Sequence, residues 1–377
     1  MLSLMAPMDF EGHVLAEPVT TLPGEYYVSP EVFAREARTI FSQRWLCAGR
    51  ADALPAPGDY ALFETAGESL ILVRGKDGRL RAFFNVCRHR GTRLCEAGSG
   101  HFAGGIQCPY HAWTYGLDGA LVGAPHMADV PWFEKADHPL VPAVVAEWEG
   151  FVFLSLAERP RPLEDVLRPL LGRFAPWRLG ALVSARRIAY DVRANWKLIF
   201  QNFSECYHCP PVHPALAKLS HYRSGANNLR EGGILGGYML INAKGGSLTM
   251  SGRLCGAPLA DLPEEERQRV YYYSVFPSFF LTVQPDFVMV TRLLPRAVDR
   301  TEVVCEWLFA PETAAAPGFD PSDGVEIWDV TNRQDWHMCE RAQQGVSSRA
   351  YRPGPYSKDE SLLAAFDREY LKSLSGA

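Results

Sequence analysis

The feature that most restricts the fold of this chain is a pair of short segments that each combine one cysteine with one histidine. Cys87 and His89 form a Cys-x-His pair, and Cys108 and His111 form a Cys-x2-His pair eighteen residues further on. Glycines are frequent between the two pairs, and the flanking residues alternate in hydrophobicity as strands do. We therefore expect two loops that project from a β-rich module and close on one metal centre.

Two kinds of metal centre use two cysteines and two histidines. Structural zinc sites usually take their ligands as like pairs, C-x2-4-C and H-x3-5-H. In this chain each loop carries one residue of each type, which suits a cluster whose two irons need different ligands. A Rieske [2Fe–2S] centre binds one iron by two cysteines and the other by two histidines. We predict this cluster at Cys87, His89, Cys108 and His111, with zinc as the alternative.

A second concentration of possible metal ligands follows later in the chain. His208 and His213 are separated by Pro210 and Pro211. On a continuous helix, residues five apart lie on different faces, but prolines interrupt a helix and let the chain fold back. Two histidines with one carboxylate leave open positions on Fe(II) for dioxygen and substrate. The segment therefore predicts a mononuclear iron site.

The third ligand of that site must be an aspartate or glutamate from elsewhere. We predict Asp335, which lies in an amphipathic segment near the C-terminus. Asp329 and Glu340 in the same segment are the alternatives. The ordinary position of an acidic residue on a helix is the solvated face, so only the need for a third ligand favours Asp335.

Other residues of the second segment have roles that depend on the two histidines. Glu205 precedes His208 by one helical turn, and we expect its carboxylate to accept a hydrogen bond from the ring and fix the tautomer. The alternatives for Glu205 are a direct metal ligand or a surface charge. Asn202 is a further catalytic candidate. Cys206 and Cys209 are expected to be packed thiols, because a thiolate ligand would close the open iron position.

Periodicity divides the chain into strand-like and helical regions. A helix is predicted over Ser29–Cys47, with Ser29 as its N-cap, and alternating runs from about Leu46 to Glu158 predict an all-β module. The remainder is predicted to hold a strand and helix over 184–208, strands over 232–309, and helices over 323–345, with Asp323 as its N-cap, and 358–374.

These regions predict an α+β fold with an all-β Rieske domain and a catalytic domain whose antiparallel sheet is covered by helices. The predicted boundaries are 1–45 for an N-terminal helical segment that packs on the catalytic domain, 46–160 for the Rieske domain and 161–377 for the catalytic mononuclear iron domain.

Charge and composition narrow the possible partners. The formal net charge of −5 gives no electrostatic reason to expect nucleic acid or an anionic membrane. The first residues lack a basic region, and no apolar stretch has the length of a membrane span, so neither a signal peptide nor a membrane location is expected. Nine scattered cysteines indicate thiols or metal ligands in a reducing compartment. We expect a soluble, cytoplasmic protein.

The paired motifs resemble those of the large subunits of Rieske non-haem iron oxygenases. The resemblance rests on Cys-x-His with Cys-x2-His, followed by Glu/Asp-x2-His-x4-His, and extends over nearly the whole chain. It implies a [2Fe–2S] cluster and an Fe(II) bound by His208, His213 and Asp335. It also implies that Glu205 bridges His111 of one subunit and His208 of the next, and hence a homotrimer.

Most members of that family have aspartate where this chain has Glu205. The glutamate resembles the branch that acts on quaternary ammonium compounds, which includes glycine betaine monooxygenase, stachydrine demethylase and carnitine monooxygenase. The segments NFSECYHCPPVHP, FPSFFLTVQPDFVMVTRLLP and SSRAYRPGPYS look most similar to the glycine betaine branch. The resemblance implies hydroxylation and N-demethylation of a betaine-like substrate, with electrons from an NAD(P)H-dependent flavin/ferredoxin-type reductase. The chain has no GxGxxG turn of its own for nicotinamide.

Aromatic residues near one predicted strand are candidates for substrate binding. Aromatic faces attract a quaternary ammonium by about 0.5–2 kcal/mol per contact. The candidates are Tyr207, Tyr271, Tyr273, Phe276 and Phe280. The alternative is that many of them belong to the core, because a strand sends only half of its side chains to one face.

Two further functions are alternatives. One is hydroxylation or cis-dihydroxylation of an aromatic compound by the same two metal centres. The other is an electron carrier or structural zinc protein without oxygen chemistry, although a carrier needs neither the second histidine pair nor a chain of this length.

Overall fold

A computed structural model describes residues 19–259 and 262–376 of the protein. Residues 1–18 of the predicted N-terminal segment 1–45 therefore lie outside the described residues. The chain forms two compact units, one over Ile40–Leu163 and one that joins the described residues up to Thr39 with those from Glu164 onward. Among the described residues, no helix is both long and apolar enough to cross a membrane.

The unit Ile40–Leu163 is built almost entirely of strands. Their bounds are β1 Leu46–Arg50, β2 Asp59–Thr65, β3 Glu68–Arg74, β4 Leu80–Phe84, β5 Ser99–His101, β6 Ile106–Gln107, β7 Thr114–Tyr115, β8 Leu121–Gly123, β9 Pro142–Trp148 and β10 Phe151–Ser155. One antiparallel sheet has the order β1-β10-β9-β4-β3-β2-β5, and a small one has the order β6-β7-β8. Short 3-10 turns lie at Ala51–Ala53 and Lys135–Asp137.

The other unit is organised around a second antiparallel sheet. Its strands are β11 Val183–Val192, β12 Ala226–Glu231, β13 Ile234–Leu240, β14 Arg269–Val275, β15 Phe279–Val283, β16 Val288–Ala297 and β17 Arg300–Phe309. Their order is β11-β17-β16-β15-β14-β13-β12, so all neighbours except the pair β11–β17 are consecutive in the chain.

Helices accompany this second sheet. Their bounds are α1 Glu25–Val28, α2 Pro30–Glu36, α3 Leu163–Val166, α4 Trp196–Phe203, α5 Cys209–Val212, α6 Leu216–Leu219, α7 Pro311–Ala314, α8 Ser322–Val346 and α9 Ser361–Ser375. A π-helical turn spans Ala37–Phe41, and 3-10 turns span Arg168–Leu170, Ala175–Trp177, Leu179–Ala181, Glu266–Gln268 and Lys358–Glu360. The predicted α+β class, with an all-β part and a helix-covered antiparallel sheet, is confirmed.

Several predicted helix ends are wrong for identifiable reasons. The Ser29 side chain does cap α2, accepting from the Val32 N–H at 3.2 Å. The helix predicted to reach Cys47 ends at Phe41, because the residues from Leu46 onward pair with β10 as a strand.

The other two corrections concern the second metal segment and the long C-terminal helix. α4 ends at Phe203, and Pro210 stands in the first turn of α5, where its missing N–H costs no helical hydrogen bond. The prolines therefore begin a short helix and do not end the preceding one. α8 begins without a side-chain cap from Asp323, whose carboxylate accepts from the backbone and side chain of Ser251.

A buried ion pair lies between α2 and α4. Glu36 and Lys197 are both fully buried, and their charged groups are 2.5 Å apart. The indole N–H of Trp196 and the hydroxyl of Tyr370 also donate to the Glu36 carboxylate, at 2.8 and 2.7 Å. The carboxylate therefore has three donors around it, as a buried charge requires.

A second buried polar network lies close in sequence to the first. Asp367 on α9 accepts hydrogen bonds from Gln201 Nε2 at 2.9 Å and from the Tyr356 hydroxyl at 2.8 Å. Burial, only partly offset by these hydrogen bonds, raises the pKa of Asp367 to about 6.

Candidate metal centres and substrate cavity

The two Cys–His loops bring their ligand side chains together. The first loop follows β4, and the second connects β6 to β7. Each loop is closed by a backbone hydrogen bond to the carbonyl of its cysteine, from Gly91 to Cys87 at 3.0 Å and from Ala112 to Cys108 at 3.1 Å. The ring centroids of His89 and His111 are consequently only 4.7 Å apart.

The thiols of this group lie inside the module and the imidazoles lie near its surface. Cys87 and Cys108 are 3 % and 2 % exposed, whereas His89 is exposed and His111 is half-buried. Burial raises the pKa of the Cys87 thiol, so the thiolate needs a positive partner to be stable there. Two inner thiolates and two outer imidazoles are the ligand set of a Rieske cluster.

Two aromatic residues support these ligands and were missed at the sequence level. The Trp113 ring is stacked on His89, with centroids 4.7 Å apart. The Tyr115 hydroxyl lies 3.3 Å from Cys87 Sγ and accepts from the Arg88 N–H at 2.9 Å. Both aromatics stand within four residues of the second motif, which is the only sequence signal that pointed to them.

His208, His213 and Asp335 converge from different segments of the other unit. His208 lies in the loop after α4, His213 directly follows α5, and Asp335 lies in α8. Asp335 Oδ1 is 3.1 Å from His208 Nε2 and 2.8 Å from His213 Nε2. His213 is 1 % exposed, and the side chains of His208 and Asp335 are mostly buried. Two nitrogens and one oxygen thus face a common point.

The two alternative carboxylates are engaged elsewhere. Asp329 accepts from the Tyr190 hydroxyl at 2.7 Å and from Arg333 Nε at 3.0 Å. Glu340 accepts from the backbone N–H of Arg193 at 3.0 Å. Neither is bonded to the histidines, in contrast to Asp335.

The outer nitrogens of the two imidazoles have partners of different charge. His208 Nδ1–H donates to Glu205 Oε1 at 2.5 Å, and the other Glu205 oxygen accepts from the backbone N–H groups of Tyr207 and His208. His213 Nδ1–H donates to Gln334 Oε1 at 2.8 Å. Gln334 was not predicted, and only its place beside Asp335 could have suggested it.

Asn202 lies on the same side of the site. Its amide donates to Asp335 Oδ1 at 3.1 Å and is 3.4 Å from His208 Nε2. It therefore contacts both a carboxylate and an imidazole of the converging set.

The site is arranged to hold positive charge. Burial alone would lower the pKa of His208, but hydrogen bonds to Asp335 and Glu205 and their charges outweigh it and raise this pKa to about 10. Burial acts to raise the pKa of Asp335, but the hydrogen bonds from His208 and His213 outweigh it and lower this pKa. Two imidazoles and one carboxylate that leave other positions open form a donor set that fits Fe(II), which would take the place of the protons at this point.

The cysteines of this segment differ from the prediction. Cys206 and Cys209 are joined in a disulfide with a Cα–Cα distance of 4.9 Å, and are not separate thiols. Donor atoms of His208, Cys209 and His213 lie within 4.8 Å of one another. Because Cys209 is in a disulfide, it does not offer a thiolate to a metal ion.

A cavity with an open mouth adjoins the converging histidines. Asn202, His208, His213 and Asp335 belong to its lining. Its aromatic wall consists of rings in contact with one another, namely Phe203, Tyr272, Phe280 and Trp328. The Phe203 and Phe280 rings are stacked with their centroids 4.2 Å apart. The centroid of the Tyr272 ring lies 6.3 Å from those of Phe203 and Trp328.

Only part of the predicted aromatic set lines this cavity. Tyr207 and Phe280 do so. Tyr271 and Tyr273 do not line this cavity, because alternation along β14 turns Tyr272 to the cavity and directs its two neighbours to the opposite face.

The predicted residues that do not line the cavity pack in the core. Tyr271 and Tyr273 both contact Phe174, in edge-to-face arrangements at 5.9 and 5.7 Å. Phe276 has a similar position. It is absent from the lining of the cavity and packs against Trp196 and other core rings.

Comparison with known families identifies the chain. Residues 179–376 match the catalytic domain of the ring hydroxylating alpha subunit family, and residues 44–134 match the Rieske [2Fe–2S] domain. The chain is a Rieske non-haem iron oxygenase.

Named relatives of this oxygenase include two kinds of monooxygenase subunit. It is 32 % identical to the glycine betaine monooxygenase oxygenase subunit of Chromohalobacter salexigens, over 90 % of this chain and 82 % of that protein. It is 39 % identical to the carnitine monooxygenase oxygenase subunit of Escherichia coli K12, over 88 % of this chain and 86 % of that protein.

Solved structures of related enzymes support the same family assignment. The quaternary ammonium Rieske monooxygenase CntA in complex with L-carnitine superimposes with a TM-score of 0.80 at 28 % identity, covering 98 % of this oxygenase and 99 % of CntA. Naphthalene 1,2-dioxygenase from a Rhodococcus species is 22 % identical, with a TM-score of 0.75 and coverage of 94 % of each chain, and shares the fold.

The identification confirms three expectations and removes one alternative. The cofactors of this oxygenase are a [2Fe–2S] cluster and a non-haem Fe(II), and it is an oxidoreductase that acts with O2 and needs an electron-transfer partner. An electron carrier or structural zinc protein without oxygen chemistry is excluded, because the catalytic domain occupies more than half of the chain.

Proposed function

We propose that this oxygenase hydroxylates an N-methyl group of a betaine-like quaternary ammonium compound and thereby demethylates it. The aromatic wall of the cavity, next to the converging histidines, carries this proposal. Two relatives whose names specify glycine betaine and carnitine support it.

The metal ligands are assigned by the same proposal. Cys87, His89, Cys108 and His111 hold the [2Fe–2S] cluster, and His208, His213 and Asp335 hold the Fe(II). The proposed domain boundaries remain 1–45 for an N-terminal segment, 46–160 for the Rieske domain and 161–377 for the catalytic domain, and the part of the N-terminal segment around Glu36 packs on the catalytic domain. The ion pair from Glu36 to Lys197 supports that packing.

The cavity would recognise the cationic end of the substrate through its aromatic wall. A trimethylammonium group presents a large, weakly hydrated cation, and aromatic faces attract it most strongly when water is excluded. Arg223 lies in the same lining and pairs with Asp359 at 2.5 Å, so a substrate carboxylate would compete with Asp359 for this guanidinium. Tyr207 is 54 % exposed and belongs to the same lining.

Glu205 and Asn202 orient the catalytic set. Glu205 holds the proton on Nδ1 of His208, so that with a metal ion bound the Nε2 lone pair of that ring would be free to act as the ligand. Asn202 donates to Asp335 Oδ1 and so restrains the carboxylate. When bound, the cluster supplies single electrons and the Fe(II) activates dioxygen for attack on a C–H bond.

We also propose that Glu205 is an inter-subunit electron-transfer bridge. An ionised carboxylate has about four lone-pair sites, so Glu205 can accept from His111 of the partner subunit as well as from His208. We propose a homotrimer, as the family resemblance implies. One solved relative is described as showing inter-subunit electron transfer, which supports it. Mixing cluster-ligand variants with iron-ligand variants should restore activity if electrons cross between subunits.

An NAD(P)H-dependent flavin/ferredoxin-type reductase is the proposed electron source, and the cytoplasm is the proposed location. Reduction of the cluster by candidate reductases, followed by its visible absorbance, tests the first. Cell fractionation tests the second.

A substrate screen tests the proposed reaction. One O2, two electrons and two protons convert the N-methyl group to a carbinolamine and release water. The hydroxymethyl ammonium product then separates into formaldehyde, the demethylated tertiary amine and a proton. The holoenzyme with a reductase should therefore release one formaldehyde per O2 consumed with glycine betaine or carnitine. Ring hydroxylation or diol formation from arenes, without formaldehyde from any quaternary ammonium compound, would favour the alternative and refute the proposal.

A further inference from the structure

Helix α8 contacts both nitrogens of one imidazole through two consecutive residues. Asp335 Oδ1 lies 2.8 Å from His213 Nε2, and Gln334 Oε1 lies 2.8 Å from His213 Nδ1. Consecutive helix residues point about 100° apart, so the ring is held between the two side chains. The position of His213 is thus tied to α8 at two points.

The second contact has a chemical purpose if His213 binds a metal ion. A neutral imidazole has one N–H donor and one lone pair, so a ring that presents Nε2 to a metal carries its proton on Nδ1. That proton needs an acceptor, and His213 is only 1 % exposed, which leaves little access for bulk water. The amide oxygen of Gln334 is the acceptor in the structure.

The other histidine has a different acceptor. His208 donates to the carboxylate of Glu205, whereas His213 donates to an uncharged amide. The pair is therefore asymmetric, with one imidazole backed by a negative charge and the other by a neutral dipole.

We propose that Gln334 is a positioning residue that fixes the tautomer and orientation of His213 without adding charge to the iron site. The inference rests on the proposed iron site, since it gives Gln334 a role only through His213. Residues that hold metal-binding histidines in this way typically change metal affinity or activity by about 10–100-fold when they are replaced.

Iron retention by the holoenzyme tests the inference without relying on turnover. In Gln334→Leu, which has no acceptor, a ferrous chelator should remove the mononuclear iron at concentrations about 10–100-fold lower than in the parent. Gln334→Asn keeps an amide but is one methylene too short, and should lose iron similarly. Gln334→Glu restores an acceptor at full length and should retain iron. Gln344→Leu, at an exposed position of the same helix, is the matched control and should behave as the parent.

A spectroscopic signature separates positioning from general damage. The near-infrared magnetic circular dichroism of the ferrous site should change in Gln334→Leu, while the visible absorbance of the cluster stays the same. Parental iron retention and an unchanged ferrous spectrum in Gln334→Leu would overturn the inference, as would equal iron loss in Gln334→Glu and Gln334→Leu.

Failure of the underlying iron site gives a different result. His213→Ala should release its iron, and if it kept a parental ferrous site, the proposed ligand set itself would be wrong. Iron loss in His213→Ala with full retention in Gln334→Leu would overturn only the role of Gln334.

Discussion

Replacement of Tyr272 by Leu should weaken binding of a quaternary ammonium substrate while leaving a neutral molecule of the same shape nearly unaffected. Tyr272 contributes one ring to the aromatic wall, between Phe203 and Trp328 and 6.3 Å from each. Leucine retains apolar contact but lacks the negative face of an aromatic ring. The substitution therefore removes the electrostatic part of the contact more than the apolar part.

The magnitude follows from the setting of the ring. A cation–π contact that is shielded from water is worth about 2 kcal/mol, against about 0.5–1 kcal/mol at an exposed site. Since 1.4 kcal/mol corresponds to a factor of ten, loss of one shielded contact should raise the Kd of the cationic ligand by roughly 30-fold. Tyr272→Phe keeps the ring and should bind nearly as the parent does.

Calorimetric titration of the holoenzyme under nitrogen measures both ligands without turnover. The charged ligand is a trimethylammonium carboxylate, and its isostere carries a tert-butyl group in place of the ammonium. Tyr271→Leu is the matched control, because it makes the same chemical change on the same strand but on the face away from the cavity.

Two outcomes would contradict this reasoning. If Tyr272→Leu weakened the two ligands equally, the ring would contribute contact area and not attraction for the cation. If Tyr271→Leu produced the same selective loss, the assignment of the cavity face of β14 would be wrong.

Three further predictions concern the metals and the buried charges. Metal analysis of the holoenzyme should find about three irons per chain. Joint replacement of His208 and His213 by Ala should remove one iron while the visible absorbance of the cluster remains. Zinc in place of iron would contradict this prediction. Glu36→Gln should lower the free energy of unfolding by about 3–5 kcal/mol in urea denaturation, because it leaves the Lys197 ammonium buried without its counter-ion. The double replacement Glu36→Leu with Lys197→Met should recover most of the lost free energy of unfolding. If it recovered none, the unpaired Lys197 ammonium would not be the cause of the loss. The free energy of unfolding of the parent should fall relative to that of Asp367→Asn as the pH rises from about 4 to about 6. The reason is that the raised pKa of Asp367 keeps a proton on the folded chain that the unfolded chain has already released. A constant difference between the two proteins across that range would contradict this prediction.

The grouping of the candidate metal ligands was predictable because their chemistry leaves few choices. Thiolates and imidazoles at short spacings have few other uses together, so Cys87, His89, Cys108 and His111 stood out without a structure. Asp335 was harder, since a helix with several acidic residues gives no sign of which one faces inward. The fold brings it to 2.8 Å from His213 Nε2 and leaves Asp329 on Tyr190.

The cavity was less predictable because it depends on strand register. A one-residue shift in the register of β14 would exchange the residues on its two faces. The sequence Tyr271-Tyr272-Tyr273 places an aromatic ring on either face. Pairing with β13 and β15 determines which ring turns to the cavity, and those contacts lie far apart in the chain. Gln334 was missed for a related reason, since its partner His213 is distant in sequence.

The ion pair between Glu36 and Lys197 has a consequence for the order of events during synthesis. The segment that carries Glu36 leaves the ribosome before the whole unit Ile40–Leu163, and its partners Lys197 and Tyr370 emerge only afterwards. The β-rich insert Ile40–Leu163 can thus fold before the C-terminal residues of the other unit have been synthesised. Exchange of this insert between related enzymes should accordingly leave the π-helical turn Ala37–Phe41 and helix α3 Leu163–Val166 uncut, because both of these elements join the insert to a framework that closes last.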